Sequence, residues 1–243
     1  MHRFFLPPPE WNSPSPTLDA GESHHALDVL RLAEGERVVV FDGEGGEATA
    51  QIASIQGKRA HLKVMPRSKT QALPCAITLA QAVPKGKNME FIIQKSVELG
   101  ASRIAPLLSD RTIVQLDAED VDKKRQKWQE TALEACKQCG QNWIPEIATP
   151  KSVKAFFEAG DKYDLMLIAS LQPDARKIKD VLAEFPAVRS ALVLVGPEGD
   201  FTPAELSLAK SHGCRPVTLG PIILRTETAA LYCLSVLAHE LFG

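Results

Sequence analysis

The 243-residue sequence has no long apolar run. Its longest, residues 229–238, is interrupted by Ser235, whereas a spanning helix needs about 20 predominantly apolar residues. A membrane-embedded protein is therefore not expected. The opening MHRFFLPPPE has neither an apolar core nor a small-residue cleavage site of an export signal, so a cytoplasmic protein is expected. Cysteine is scarce and odd in number, five in all, so a disulfide framework is not expected. The only C-x-x-C, Cys136 with Cys139, closes the helical segment ETALEACKQCG. Zinc would need two further ligands, and a thioredoxin-type site would need a strand-to-helix turn, so no metal is expected. Nor is there a phosphate cradle: both G-x-x-x-x-G-K-[ST] and G-x-G-x-x-G are missing.

What is present is the composition of a folded protein, 44% hydrophobic and 24% charged, at a length that suits one or two domains. Lys and Arg number 28 against 30 Asp and Glu, a net charge of −2 that gives no global attraction to nucleic acid. The charge is unevenly spread, however. Residues 10–47 carry nine acidic and two basic residues, while residues 48–89 carry seven basic and no acidic ones. The second stretch is a candidate cationic surface, with a plain solvated face as the simpler reading.

The first seventy or so residues read as a small β-rich domain. Residues 35–41, 48–55 and 60–65 are three strand-like runs joined by the turns DGEGG and QGK, which predict a meander or small barrel. A helix precedes them, with Ser23 as its cap and Ala26, Leu27, Leu30 and Leu32 on its apolar face. The proline-bearing stretch PRSKTQALP marks the boundary, dividing the chain into residues 1–72 and 73–243. Beyond it the pattern alternates. The apolar runs at 75–83, 103–108, 164–169 and 191–195 are each followed by a helical segment, the first being residues 85–99 with Gly100 as its C-cap. Strands apolar on both faces, interleaved with helices, predict an α/β fold with a covered parallel sheet. Its chemistry belongs beyond the carboxyl ends of the strands.

Two such turns stand out. In LVLVGPEGDFTPAEL, Gly196 and Gly199 let backbone approach a ligand, and Thr202, Pro203 and Glu205 specify a helix start with a capping box. The carboxylates of Glu198 and Asp200 suit hydroxyls or a cation better than polyphosphate; alternatively the turn merely links strand to helix. In VTLGPIILRTETAALYCLSVLAHELF, Arg225 precedes Thr226, the predicted N-cap of the last helix. A cation at the positive end of a helix either pairs with Glu227 or is held for a ligand.

GPEGDFTPAE and LGPIILRTETAA, together with RFFLPP, HHALDVLRLAEGERVVVFDGEG, PKGKNMEFIIQKSVELGAS and EACKQCG, resemble the motifs of the RsmE family of ribosomal RNA methyltransferases. The resemblance extends over nearly the whole chain. It implies a PUA-like β-barrel RNA-binding domain at residues 1–72, followed at 73–243 by a parallel-sheet SPOUT domain with a trefoil knot. It implies S-adenosylmethionine as cofactor, held by Ser170, Leu171, Gly196, Glu198, Gly199, Leu219, Gly220, Ile223 and Leu224. The reaction it implies is methylation of N3 of a uridine in 16S (small-subunit) ribosomal RNA, with Arg225 and Glu227 carrying the chemistry. The partners are that RNA or the small ribosomal subunit, and a second copy of the chain in a homodimer. Arg31, Lys85, Lys95 and Arg111 are the expected phosphate contacts. Three positions depart from the family pattern: Asp200 stands for a glycine, Ile222 for an arginine before ILR, and Gln141 for an arginine after Q-x-G. The competing reading is a ribosomal RNA-binding assembly factor without catalytic activity, which would have no reason to keep Glu198, Gly199, Arg225 and Glu227 together.

Overall fold

The computed structural model describes residues 1–112 and 118–243. They form two compact units, Met1–Ala72 with Leu133–Ile144, and Leu73–Ala132 with Pro145–Gly243.

The first unit is built on a four-stranded sheet in the order β1-β2-β3-β4, with β1 Arg3–Phe5, β2 Arg37–Phe41, β3 Gly46–Gln56 and β4 Arg59–Lys69. The three predicted strands form the antiparallel meander β2-β3-β4. The short β1, unforeseen in the sequence pattern, adds in parallel to β2, pairing Phe4 with Val40. Phe4, Val38, Val40, Ala50, Ile52 and Leu62 fill the core from one face, as period-two alternation requires. β4 runs on to Lys69, so the first residues of PRSKTQALP belong to the sheet rather than to a linker. The register shift between Ala48 and Ala50 accommodates Pro66, which has no N–H to give to the ladder.

Helix α1 covers Pro8–Trp11 and α2 Ala20–His24, the latter running into a single π turn over His25–Val29. The cap of α2 is Asp19, whose carboxylate accepts the Glu22 N–H at 2.8 Å; it is not Ser23. Ser23 is fully buried and donates its hydroxyl to the Leu18 carbonyl at 2.9 Å, so a tertiary role displaces the capping role read from the sequence.

The segment Leu133–Ile144 lies outside residues 1–72 but clusters with them. Arg3 donates to Glu47 at 2.7 Å and also to the Asn142 side chain, and Asn142 reaches Thr70 at 2.8 Å. Trp143 packs so tightly against Gly45 that a Cβ there would meet its indole at 2.5 Å, and Gly45 also holds φ +94°. The half-buried Lys137 pairs with Glu22 at 2.5 Å. Burial raises the Glu22 carboxyl above the usual carboxylate range, against the pull of Lys137. Cys136 is buried, its thiol pushed up to about 12 by loss of water, while Cys139 is exposed; both are unbridged.

The second unit is an eight-stranded parallel sheet in the order β10-β12-β9-β11-β5-β6-β7, with β8 also paired to β6. The strands are β5 Ala76–Ala82, β6 Ala101–Leu108, β7 Glu146–Ile147, β8 Lys151–Ser152, β9 Leu165–Ala169, β10 Arg176–Lys177, β11 Ser190–Val195 and β12 Arg215–Thr218. The helices are α3 Asn88–Glu98, α4 Ala118–Cys139, α5 Val153–Glu158, α6 Ile178–Leu182, α7 Pro203–Ser211 and α8 Thr226–Leu241. α4 begins in this unit and ends in the first.

Alternate residues of each central strand serve opposite faces. Ile77, Leu79, Val193 and Val195 pack with α8, while Ala80, Ala82, Leu192 and Leu194 pack with α5 and α7. Both faces are covered, and this makes the strands read as unbroken apolar runs. α8 turns Ala230, Cys233, Leu234 and Leu237 into the core, leaving Tyr232 42% exposed.

Candidate functional site

β12, β9 and β11 are neighbours in the sheet, and all three end on the same side because all are parallel. The segments leaving them, Ser170–Leu171, Gly196–Asp200 and Leu219–Leu224, are thereby brought together across about fifty residues of sequence. With the start of α8 they enclose a cavity of about 470 Å³, within the usual range of small-molecule sites.

The turn after β11 is held from several sides. The Asp200 N–H closes it onto the Pro197 carbonyl at 2.9 Å. Asp200 holds φ +59°, a left-handed backbone that accounts for glycine being usual there, and its carboxylate accepts the Phe201 N–H at 2.7 Å. The Lys85 N–H donates to Glu198 Oε1 at 3.1 Å, and the Arg111 guanidinium to the Gly199 carbonyl at 2.5 Å. Thr202 and Glu205 form the predicted capping box at the head of α7.

At the end of β9, Ser170 is buried, its N–H donating to the Val217 carbonyl at 3.0 Å. The segment after β12 is open: Ile222 is 74% and Ile223 76% exposed. Among the described residues, the N–H groups of Ile222, Ile223 and Leu224 have no hydrogen-bond partner. They are free to bind a flat heterocycle through backbone groups.

At the head of α8 the N-cap is Arg225, and Thr226 is the first helical residue. The Thr226 hydroxyl, assigned to capping by the sequence, instead donates to the Gly196 carbonyl at 2.7 Å. Arg225 is exposed at the cavity and, among the described residues, pairs with neither Glu227 nor any other carboxylate. Among the described residues it is the sole cation lining the cavity, which also carries the carboxylates of Glu198, Asp200 and Glu227. That balance favours a ligand carrying positive charge and disfavours a polyphosphate.

Of the residues that the resemblance assigns to the cofactor, Ser170, Leu171, Gly196, Glu198, Leu219, Gly220, Ile223 and Leu224 line the cavity, as do Arg225 and Glu227. Gly199 does not line it. Its peptide is turned toward Arg111, whose Cδ would lie 3.4 Å from an added Cβ. Asn88, at the start of α3, does line the cavity and was not anticipated, although the motif PKGKNME containing it was. Lys85 is exposed, Lys95 is paired with Glu98 at 2.8 Å, and Arg111 braces the glycine turn. Arg31, in the first unit, is exposed with φ 56°.

A parallel α/β sheet with a cation-accepting cavity beyond three adjacent strand ends, in a chain that also carries a small β unit, defines a class, and comparison with known proteins supplies its identity. Residues 71–238 match the RNA methyltransferase domain family, and residues 18–65 match the RNA methyltransferase PUA domain. The ribosomal RNA small subunit methyltransferase E of Bacillus subtilis is 31% identical over 94% of this chain and 91% of its own length. The protein of the same name from Synechocystis is 33% identical over 96% of this chain and 76% of its own length. The Neisseria gonorrhoeae ribosomal RNA small subunit methyltransferase E, solved bound to S-adenosyl methionine, superposes with a TM-score of 0.87 at 33% identity, covering 98% of this chain and 97% of that one. A Legionella pneumophila structure in complex with bound cofactor SAM gives 0.90 at 34% identity, covering 98% and 97%. The chain belongs to the RNA methyltransferase family and, within it, to the ribosomal RNA small subunit methyltransferase E proteins.

Proposed function

We propose that the chain binds S-adenosylmethionine in the cavity at the ends of β9, β11 and β12 and methylates N3 of a uridine in 16S ribosomal RNA. The observation that carries this reading is the unpaired Arg225 beside Glu198, Asp200 and Glu227 in one cavity. The cavity fits the cofactor chemically. Carboxylates suit its sulfonium and ammonium, the free N–H groups of Ile222 to Leu224 suit an adenine edge, and Leu171, Leu219 and Ile223 supply apolar walls. In this reading the segments around the cavity form a trefoil knot, an exception to the rule that chains do not thread loops.

The bound cofactor supplies an electrophilic methyl group on sulfur. The chain's own residues must then favour the uridine anion, because N3 is protonated at neutral pH. Arg225 stabilises negative charge developing on the uracil carbonyl oxygens, a preorganised electrostatic effect typically about 3 kcal/mol. Glu227 either orients Arg225 or accepts the N3 proton; the pH profile of Glu227→Gln separates the two roles. The uridine must be unstacked to enter.

Residues 1–72 are read as the RNA-binding domain and 73–243 as the methyltransferase domain. Arg31, Lys85, Lys95 and Arg111 contact RNA phosphates, and the protein works as a homodimer in the cytoplasm on ribosomal RNA or the small subunit. No described helix is long and apolar enough to cross a membrane. A thermal-shift assay with S-adenosylmethionine beside ATP tests the cofactor, since a ligand of the folded state raises its apparent stability. Nucleoside mass spectrometry of ribosomal RNA from a deletion strain tests the product; an unchanged level of N3-methyluridine would overturn the reading.

A further inference from the structure

Gln81, the sixth residue of β5, is fully buried and lies outside the cavity lining. It is in register with Val195, the residue before the glycine turn. Its amide nitrogen lies 2.8 Å from the Ala82 carbonyl oxygen and 2.9 Å from the Thr226 hydroxyl. A backbone carbonyl only accepts, so the nitrogen end of the amide must face it, and both N–H groups are then used. The Thr226 oxygen accepts from Gln81, which commits its single proton to the Gly196 carbonyl at 2.7 Å. The result is a directional chain from Gln81 N–H to Thr226 O–H to Gly196 C=O. Among the described residues, it ends in the one hydrogen bond that joins the Gly196–Asp200 turn to the head of α8.

The other end of the amide does nothing comparable. Gln81 Oε1 is buried with no hydrogen-bond partner, an arrangement that costs stability and that a methionine of similar shape would avoid. A polar residue held in a core at that cost is accounted for by what its two N–H groups hold.

We propose that Gln81 is a positioning residue for methyl transfer. Acting only through Thr226, it fixes the glycine turn that faces the cofactor relative to the helix head that carries Arg225 and Glu227. This rests on the function proposed above and adds to it a residue that touches neither substrate nor cofactor. Misplacement of reacting groups by about 1 Å costs on the order of a hundredfold in rate, so a buried clamp of this kind acts on transfer as well as on binding.

The test is a double-mutant cycle between Gln81→Met and Thr226→Val in the full-length protein. It is read by calorimetry with S-adenosylmethionine and by kcat for methyl transfer to ribosomal RNA. Each single variant is expected to weaken binding and to lower kcat by about tenfold or more, and the double variant to be no worse than either single one, because both remove one clamp. Thr226→Ser, which keeps the hydroxyl, is expected to retain wild-type behaviour. A purely structural role would lower the thermal midpoint of Gln81→Met and Thr226→Val while leaving binding and kcat of the folded proteins at wild type. Multiplying effects, or a Gln81→Met protein with wild-type binding and kcat, would overturn the proposal. If Gln81→Met loses its cooperative thermal transition, Gln81→Asn takes its place in the same cycle, since it keeps the amide but withdraws it from Thr226. A wild-type protein that neither binds S-adenosylmethionine nor transfers a methyl group overturns the functional reading, and this inference with it. Wild-type activity with additive variants overturns this inference alone.

Discussion

Arg225 and Glu227, two residues apart at the head of α8, line the same cavity with no ion pair between them. A guanidinium at the positive end of a helix with no carboxylate on it is poised for an anion that arrives with the substrate. Arg225→Lys keeps the charge but loses the planar fork. It is expected to lower kcat by roughly a hundredfold while S-adenosylmethionine affinity measured by calorimetry stays near wild type. An equal loss in both would show that Arg225 serves the cofactor instead.

The two glycines of the turn are expected to behave differently. A Cβ on Gly196 would stand 3.3 Å from Asp200 Oδ1 and from both the Phe201 ring and its N–H nitrogen. The bulkier Gly196→Val should displace the turn and abolish cofactor binding. Gly199 lies outside the cavity lining and would meet only the flexible Arg111 side chain at 3.4 Å. Gly199→Ala should therefore bind S-adenosylmethionine within a fewfold of wild type, as checked by calorimetry.

Arg111 divides its two assigned roles measurably. With its guanidinium on the Gly199 carbonyl, Arg111→Ala is expected to weaken cofactor binding in the absence of RNA. Lys85→Ala should instead leave the cofactor alone and reduce the salt slope of RNA binding by about 0.7 to 0.9 per lost phosphate contact. Lys95, already paired with Glu98, should change that slope less. Filter-binding titrations across a salt series provide the measurement, and an unchanged slope for Lys85→Ala would remove it from the RNA surface.

In the first unit, the hydrogen bond from Arg3 holds the Glu47 carboxyl below the ordinary glutamate range, with Asn142 assisting and burial opposing. A depressed pKa contributes stability that is present above about pH 4.3 and is lost as pH falls through the lower folded value. Glu47 is 35% exposed, so solvent screening keeps the effect small. Glu47→Gln should lower the thermal midpoint at pH 7 and flatten its fall toward acid pH. Parallel melting curves for the two proteins would refute this.

The proposed homodimer is best tested at Tyr232. Leu237 is fully buried against the protein's own sheet, so a charge there would unfold the chain, whereas Tyr232 stands 42% exposed on the outward side of α8. If α8 forms the interface, Tyr232→Glu should yield a folded monomer by light scattering that transfers methyl groups poorly. A dimer of unchanged mass would exclude this face.

Local signals were legible in the chain, because their partners lie within a few residues. Thr202, Pro203 and Glu205 specify the head of α7 by themselves. The apolar runs around Leu79 and Val193 announce strands covered on both faces, and the two unusual turns mark where chemistry gathers. Family motifs extended that reading to most of the cavity. Residues whose partners are remote were not legible in this way. Ser23 and Thr226 have the chemistry of helix caps, yet one hydroxyl goes to Leu18 inside a core and the other to Gly196 in the turn after β11. β1 is three residues long and exists only because β2 offers it an edge. Residues 133–144 join the first unit through Lys137 and Asn142, whose partners Glu22 and Thr70 are remote in sequence. Gly199 and Gly196 are both turn glycines in the sequence, and only the tertiary structure puts Gly196 at the cavity against Asp200 and Phe201 and turns Gly199 toward Arg111. Composition, periodicity and turn chemistry thus determined the elements and the general location of the site, since these are short-range properties. Which polar groups meet there, and which cation stays unpaired, was decided by parallel strands that bring distant segments to one edge of the sheet.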